Sequence, residues 1–138
     1  MTDPSPLGRP VSVLVIDDVQ DTADSLAMYL RTANGFEVRT ALDGEQGLKL
    51  AIAQPPDAVV CDIGVPRVDG FQVAQQLADL LSPQPLLIAV TGFGGTFPRE
   101  QALKVFDHYL VKPADPTEVA SLIDAHVRHR PGEGRRLS

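Results

Sequence analysis

The stretch "VCDIGVPRVDG", residues 60–70, joins an apolar run to a carboxylate without a break. Ala58-Val59-Val60-Cys61 has the composition of a buried strand, and Asp62 ends it. A carboxylate at the end of a buried strand is costly unless its charge is used there. Working away from this point in both directions, the same pattern recurs. Val11–Ile16 is an apolar run broken only by Ser12, and it ends in Asp17-Asp18. Leu86–Val90 ends in Thr91-Gly92, and His108–Val111 ends in Lys112-Pro113. Phe36–Thr40 is a shorter candidate strand.

Helical patterns separate these runs. Ala23, Leu26, Ala27, Leu30 and Ala33 follow helical spacing, and Asn34-Gly35 closes them. Asp43 to Gln46 reads as a capping box, with Leu48, Ala51 and Ile52 behind it. Pro55-Pro56 ends that helix. Phe71, Ala74, Leu77, Ala78 and Leu81 give a third helix. Pro98 opens a short fourth helix carrying Ala102, Leu103 and Phe106. Asp115-Pro116-Thr117-Glu118 caps a last helix bearing Val119, Leu122, Ile123, His126 and Val127. Five βα units imply an α/β fold, a doubly wound five-stranded parallel sheet with helices on both faces. Functional groups then belong at the carboxyl ends of the strands.

Composition narrows the options. The 138 residues suit one domain, expected over 11–128, with a flexible leader over 1–10 and a flexible tail over 129–138. A net charge of −6 argues against a nucleic-acid partner, and the basic tail residues Arg128, Arg130, Arg135 and Arg136 read as a solvated end. One cysteine, Cys61, suits a reducing compartment and reads as a buried strand residue. With no signal-like start and no membrane-length apolar run, the expectation is a cytoplasmic protein with no membrane contact.

Parallel strands bring Asp17, Asp18 and Asp62 to one sheet edge, with Thr91 and Lys112 beside them. Taken singly, each is explained by a cap or a turn; the bland readings do not explain all of them falling at strand ends. Three close carboxylates repel. A hard divalent cation such as Mg²⁺ relieves them and leaves room for phosphate oxygens. Such a site suits phosphoryl transfer, and a carboxylate can itself be the nucleophile. Lys112 and Thr91 would bind phosphoryl oxygens.

The motifs "VLVIDDVQDTADSL", "VVCDIGVPRVDGF", "AVTGFGG" and "HYLVKPADP", in this order, resemble the receiver domain of two-component response regulators over roughly residues 11–128. The 44 positions from Asp18 to Asp62 match that family's spacing. The resemblance implies a flavodoxin-like sheet of order 2-1-3-4-5. It implies Asp62 as phosphoacceptor, Asp18 as a direct Mg²⁺ ligand, Asp17 acting through water, and the Gly64 backbone carbonyl completing the metal site. Thr91 and Lys112 would bind the phosphoryl group, Tyr109 would be the aromatic switch paired with Thr91, and Pro113 is a candidate cis proline. The phosphoryl donor would be a histidine kinase or a histidine phosphotransfer protein.

The chain also departs from the family pattern. "QALKVFDHYL" lacks the usual Ala-Gly before strand 5, and the Thr91-to-Lys112 interval is about one residue short, so helix 4 is expected to be short or displaced. Val65 and Val68 replace methionine-like residues, and Gly64 offers no side chain beside the phosphoryl group. The expectation is a signalling domain acting as a shuttle, a contact partner or a phosphate sink, and not an enzyme beyond its own phosphorylation and dephosphorylation. No output domain is expected after the last helix. The alternatives are a pseudo-receiver that only binds partners and a Mg²⁺-dependent phosphohydrolase. The second fits poorly, because haloacid dehalogenase-type enzymes resemble Asp-x-Asp on strand 1 and carry a cap domain. A flavodoxin-like cofactor binder would need a phosphate-cradling loop where "DDVQD" is acidic.

Overall fold

A computed structural model describes residues 7–63, 70–92 and 99–129. Its elements alternate: β1 (Ser12–Ile16), α1 (Gln20–Asn34), β2 (Glu37–Ala41), α2 (Gly44–Ala53), β3 (Ala58–Asp62), α3 (Gly70–Leu80), β4 (Leu86–Thr91), α4 (Arg99–Ala102), β5 (His108–Val111) and α5 (Pro116–Arg128). The five strands form one parallel sheet in the order β2-β1-β3-β4-β5. Strand order reverses between β1 and β3, which places a crevice at their carboxyl ends. Asp62 is the last residue of β3 itself, paired with Val90.

Strand alternation divides the core into two layers. Val13, Val15, Val60, Ile88 and Val90 face α1 and α5, where Ala27, Leu30, Val119 and Ile123 cover them. Leu14, Ile16, Val59, Leu87 and Ala89 face α2, α3 and α4, under Ala51, Val73, Leu77 and Phe106. The apolar runs of β1, β3 and β4 are buried on both faces, as central parallel strands are.

Local chemistry sets the helix ends. Gly35 adopts φ 71°, a left-handed conformation that favours glycine. It lets the Phe36 N–H reach the Leu30 carbonyl at 3.2 Å and the Gly35 N–H reach Arg31 at 3.1 Å, closing α1. At α2 the Gln46 N–H donates to Asp43 Oδ1 at 2.8 Å, while Gln46 Oε1 accepts from the Leu42 N–H at 3.0 Å. The capping box is thus present with its return bond one residue early. At α5 Asp115 accepts from both the N–H and the hydroxyl of Thr117, which together hold its carboxyl below the ordinary aspartate range.

The fourth helix is shorter than its apolar spacing predicts. It stops at Ala102, so Leu103 and Phe106 lie beyond it. The chain tightens there into three-residue bonds, Lys104 N–H to Gln101 and Val105 N–H to Ala102, before Phe106 drops into the core. Pro98 lies outside the described residues.

At the amino edge of the sheet, two aspartates precede strands. The Asp57 carboxylate accepts from the Ser12 N–H at 2.8 Å and from both terminal nitrogens of Arg9, at 2.8 and 2.9 Å. Asp107 accepts from the Leu87 N–H at 2.9 Å and returns its own N–H to the Leu87 carbonyl at 2.7 Å. Each ties a strand's entry to its neighbour. Leu7 packs against the α1/α5 layer close by in sequence to Arg9.

Candidate functional site

Asp17 follows β1 and continues its ladder, its N–H donating to the Ala41 carbonyl at 3.0 Å. It therefore shares the α1/α5 face with Val15, as Asp62 does with Val60. Lys112 continues β5 in the same way, with its N–H on the Thr91 carbonyl at 2.8 Å. Its side chain returns to the same face and bridges two carboxylates. Lys112 Nζ lies 2.9 Å from Asp62 Oδ2 and 3.0 Å from Asp17 Oδ2. Asp17 Oδ1 also accepts from the Val19 N–H at 2.9 Å, which orients the carboxylate at the start of α1.

Burial pulls the Lys112 ammonium down. Its hydrogen bonds to Asp62 and then Asp17, together with their charges, outweigh that pull and leave its pKa above the ordinary lysine value. Lys112 is thus charged at neutral pH, one cation among three carboxylates. Oxygens of Asp17, Asp18 and Asp62 lie within 4.8 Å of one another. Asp17 and Asp62 are buried and Asp18 is exposed, so the cluster opens to water on one side. An all-carboxylate, partly open donor set fits a hard cation that keeps several waters, the preference of Mg²⁺. Asp17, Asp18 and Asp62 are the residues that would hold it.

Thr91 lies on the other face. Alternation along β4 puts it on the side of Ala89, and the β4–β5 register pairs Ala89 with Tyr109. Thr91 is buried, and Tyr109 packs against the α2/α3/α4 layer, two ladder positions away. The Arg99 guanidinium lies over the Tyr109 ring, 5.6 Å from its centre. The expected site residues therefore divide by sheet face: Asp17, Asp62 and Lys112 on one, Thr91 and Tyr109 on the other. Both groups meet at the carboxyl edge. The Lys112–Pro113 peptide bond is cis. Gly64, Val65 and Val68 lie outside the described residues.

Supporting residues went unread in the sequence. Gly47 of α2 sits against Ile16, the residue before Asp17, so closely that an added Cβ would stand 2.7 Å from Ile16 Cγ1 and collide with Cδ1. The end of β1 is seated by that contact. A glycine within a helical run was its only sequence signal.

Comparison with known proteins agrees with this geometry. A family model described as "Response regulator receiver domain" matches residues 13–124. The chain belongs to the response regulator receiver domain family. It is 34% identical over 117 residues to the alkaline phosphatase synthesis transcriptional regulatory protein PhoP of Bacillus subtilis, covering 84% of this chain and 48% of that one. It is 37% identical over 119 residues to the transcriptional regulatory protein PrrA of Mycobacterium tuberculosis, covering 86% and 50%. The chain thus spans about half the length of the curated relatives it matches. Among solved structures, a response regulator from Chloroflexus aurantiacus superposes with a TM-score of 0.77 at 28% identity, over 86% of this chain and 98% of that one. The receiver domain of the Francisella response regulator 1452 gives 0.76 at 26%, over 87% and 98%. Receiver domains serve two-component signalling, work with histidine kinases or phosphotransfer proteins, and generally bind Mg²⁺ at an acidic pocket like this one. No helix among the described residues is long and apolar enough to cross a membrane.

Proposed function

We propose that the chain is a phosphoacceptor, taking a phosphoryl group onto Asp62 from a phosphohistidine of a kinase or phosphotransfer protein. The observation that carries this is the placement of Asp62 at the end of β3, next to two further carboxylates and hydrogen-bonded by Lys112 at 2.9 Å. An Asp62 carboxylate oxygen attacks phosphorus in line. The new O–P bond forms as the histidine N–P bond breaks, and the electron pair leaves with the imidazole nitrogen. Lys112 moves from its two carboxylates to a phosphoryl oxygen, keeping a charge-assisted bond to the new anion. A bound Mg²⁺ would supply charge neutralisation at the acidic cluster. The buried Thr91 hydroxyl donates a further hydrogen bond to the phosphoryl group.

That last bond links the two sheet faces. Thr91 drawn toward Asp62 vacates space beside Tyr109, on the face where Tyr109 packs. The aromatic ring and the short α4 then shift population between two states. The relatives named as transcriptional regulators are about twice this length. For this chain the reading is a receiver that serves as a phosphoryl shuttle, by protein contact or as a phosphate sink, with self-phosphorylation and self-dephosphorylation as the chemistry of its site.

Intact mass after incubation with acetyl phosphate tests the reading. The expected result is one added phosphoryl mass with Mg²⁺, none without it, and none in Asp62→Asn. If neither acetyl phosphate nor a phosphorylated kinase labels the wild type, the chain is instead a binding-only receiver.

A further inference from the structure

Two contacts hold the Tyr109 ring. It packs, half-buried, on the α2/α3/α4 layer. Over its face lies the Arg99 guanidinium, 5.6 Å from the ring centre and within cation–π range. Arg99 is exposed, and among the described residues it enters no ion pair. Its charge is therefore committed to the ring rather than to a carboxylate.

The place of Arg99 in the chain gives that contact leverage. Arg99 is the first residue of α4, a helix of 4 residues that ends at Ala102. The Leu103 N–H closes it onto the Arg99 carbonyl at 3.0 Å. A single helical turn has little stability of its own and depends on what its ends are fastened to. The far end is anchored by Ala102 and Phe106, both buried in the core. The near end is fastened to β5 by Arg99 on Tyr109. Tyr109 in turn pairs with Ala89, and Thr91 follows Ala89 on the same face of β4. The Arg99 contact coexists with the Lys112 bonds to Asp62 and Asp17. It thus favours the ring position that precedes phosphoryl transfer.

We infer that Arg99 is a positioning residue for the switch, holding the Tyr109 ring in that position and tying the start of α4 to it. The inference rests on the phosphoacceptor reading of Asp62 and adds the group that opposes switching. When Thr91 is drawn toward the phosphoryl group and the ring follows, the Arg99 contact breaks and the start of α4 is released with it. Removing the guanidinium removes the opposition, so the population moves toward the arrangement of the phosphorylated chain.

The test is fluorine NMR of the full chain carrying fluorotyrosine, with acetyl phosphate labelling in Mg²⁺. The chain has two tyrosines, and Tyr29 packs in the α1/α5 layer, where it serves as internal reference. Phosphorylated wild type supplies the Tyr109 signal of the switched arrangement. In unphosphorylated Arg99→Gln the Tyr109 signal should move toward it while Tyr29 stays. Asp62 should then be labelled about three-fold faster, the scale of one cation–π contact at an exposed site. In a Tyr109→Leu background, Arg99→Gln should change the labelling rate no further, which separates action through the ring from a general loosening of α4. A Tyr109 signal that stays or moves the other way, an unchanged labelling rate, or the same rate change in the Tyr109→Leu background would overturn the inference. If neither acetyl phosphate nor a phosphorylated kinase labels wild type at Asp62, the phosphoacceptor reading fails. The Tyr109 signal of Arg99→Gln still decides whether Arg99 holds the ring.

Discussion

The amino and carboxyl edges of the sheet both carry aspartates beside strand ends, yet the two sets are held in different ways. At the amino edge, Asp57 is saturated by the Ser12 N–H and both terminal nitrogens of Arg9, and Asp107 is bonded to the Leu87 N–H. At the carboxyl edge, oxygens of three carboxylates lie within 4.8 Å of one another, and two of the three share one ammonium. The first arrangement spends each carboxylate on a neighbouring donor and so ties strand to strand. The second keeps acceptor capacity in reserve at the expense of repulsion. A sheet can thus use one residue type for cohesion at one end and for chemistry at the other.

The sharpest way to break this contrast is at Asp57. Asp57→Ala strands the buried Ser12 N–H and removes the Arg9 anchor, which should cost about 3 kcal/mol in chemical denaturation. A loss near zero would mean the amino edge does not depend on its carboxylates. Gly47→Ala probes the packing beneath the carboxyl edge. Ile16 is fully buried and has nowhere to move, so overpacking should cost about 2 kcal/mol and weaken Mg²⁺ binding with it. Asp107→Ala should cost about 1 kcal/mol, since water can partly replace an acceptor at that exposed position.

At the carboxyl edge the expected sign reverses. Asp18→Asn removes one of three repelling charges without touching the two that bind Lys112, and should raise metal-free stability by about 0.5 kcal/mol. The same variant should lose Mg²⁺-dependent labelling. A clear destabilisation would show that the cluster is not repulsive. The smallest effect is at the cap of α5. The Asp115 carboxyl is held below its ordinary value by Thr117, so its contribution is present above the unfolded aspartate pKa and is lost as pH falls through the lower folded value. Thermal unfolding of wild type and Asp115→Ala should therefore differ at neutral pH and converge in acid.

Much of the fold was legible because β1, β3 and β4 are buried on both faces and so read as nearly continuous apolar runs. Placing Asp17, Asp18, Asp62, Thr91 and Lys112 at one edge needed only the inference that the strands are parallel. The order of those strands came from resemblance, since alternation alone permits several. What stayed hidden depends on register and packing. Asp57 and Asp107 look like ordinary loop acids until β1 lies beside β3 and β4 beside β5. The separation of Thr91 and Tyr109 from Asp62 and Lys112 rests on which way each pleat faces. Leu103 and Phe106 keep helical spacing, yet the backbone tightens after Ala102, a choice made by tertiary packing of Phe106.

The most direct measurement is intact mass and denaturation on wild type, Asp62→Asn and Asp57→Asn, each incubated with acetyl phosphate and Mg²⁺. The account predicts that Asp62→Asn stays folded and gains no phosphoryl mass, whereas Asp57→Asn is less stable and is still labelled where it is folded. Labelling that survives Asp62→Asn, or is lost from folded Asp57→Asn, would contradict the division of labour between the two edges.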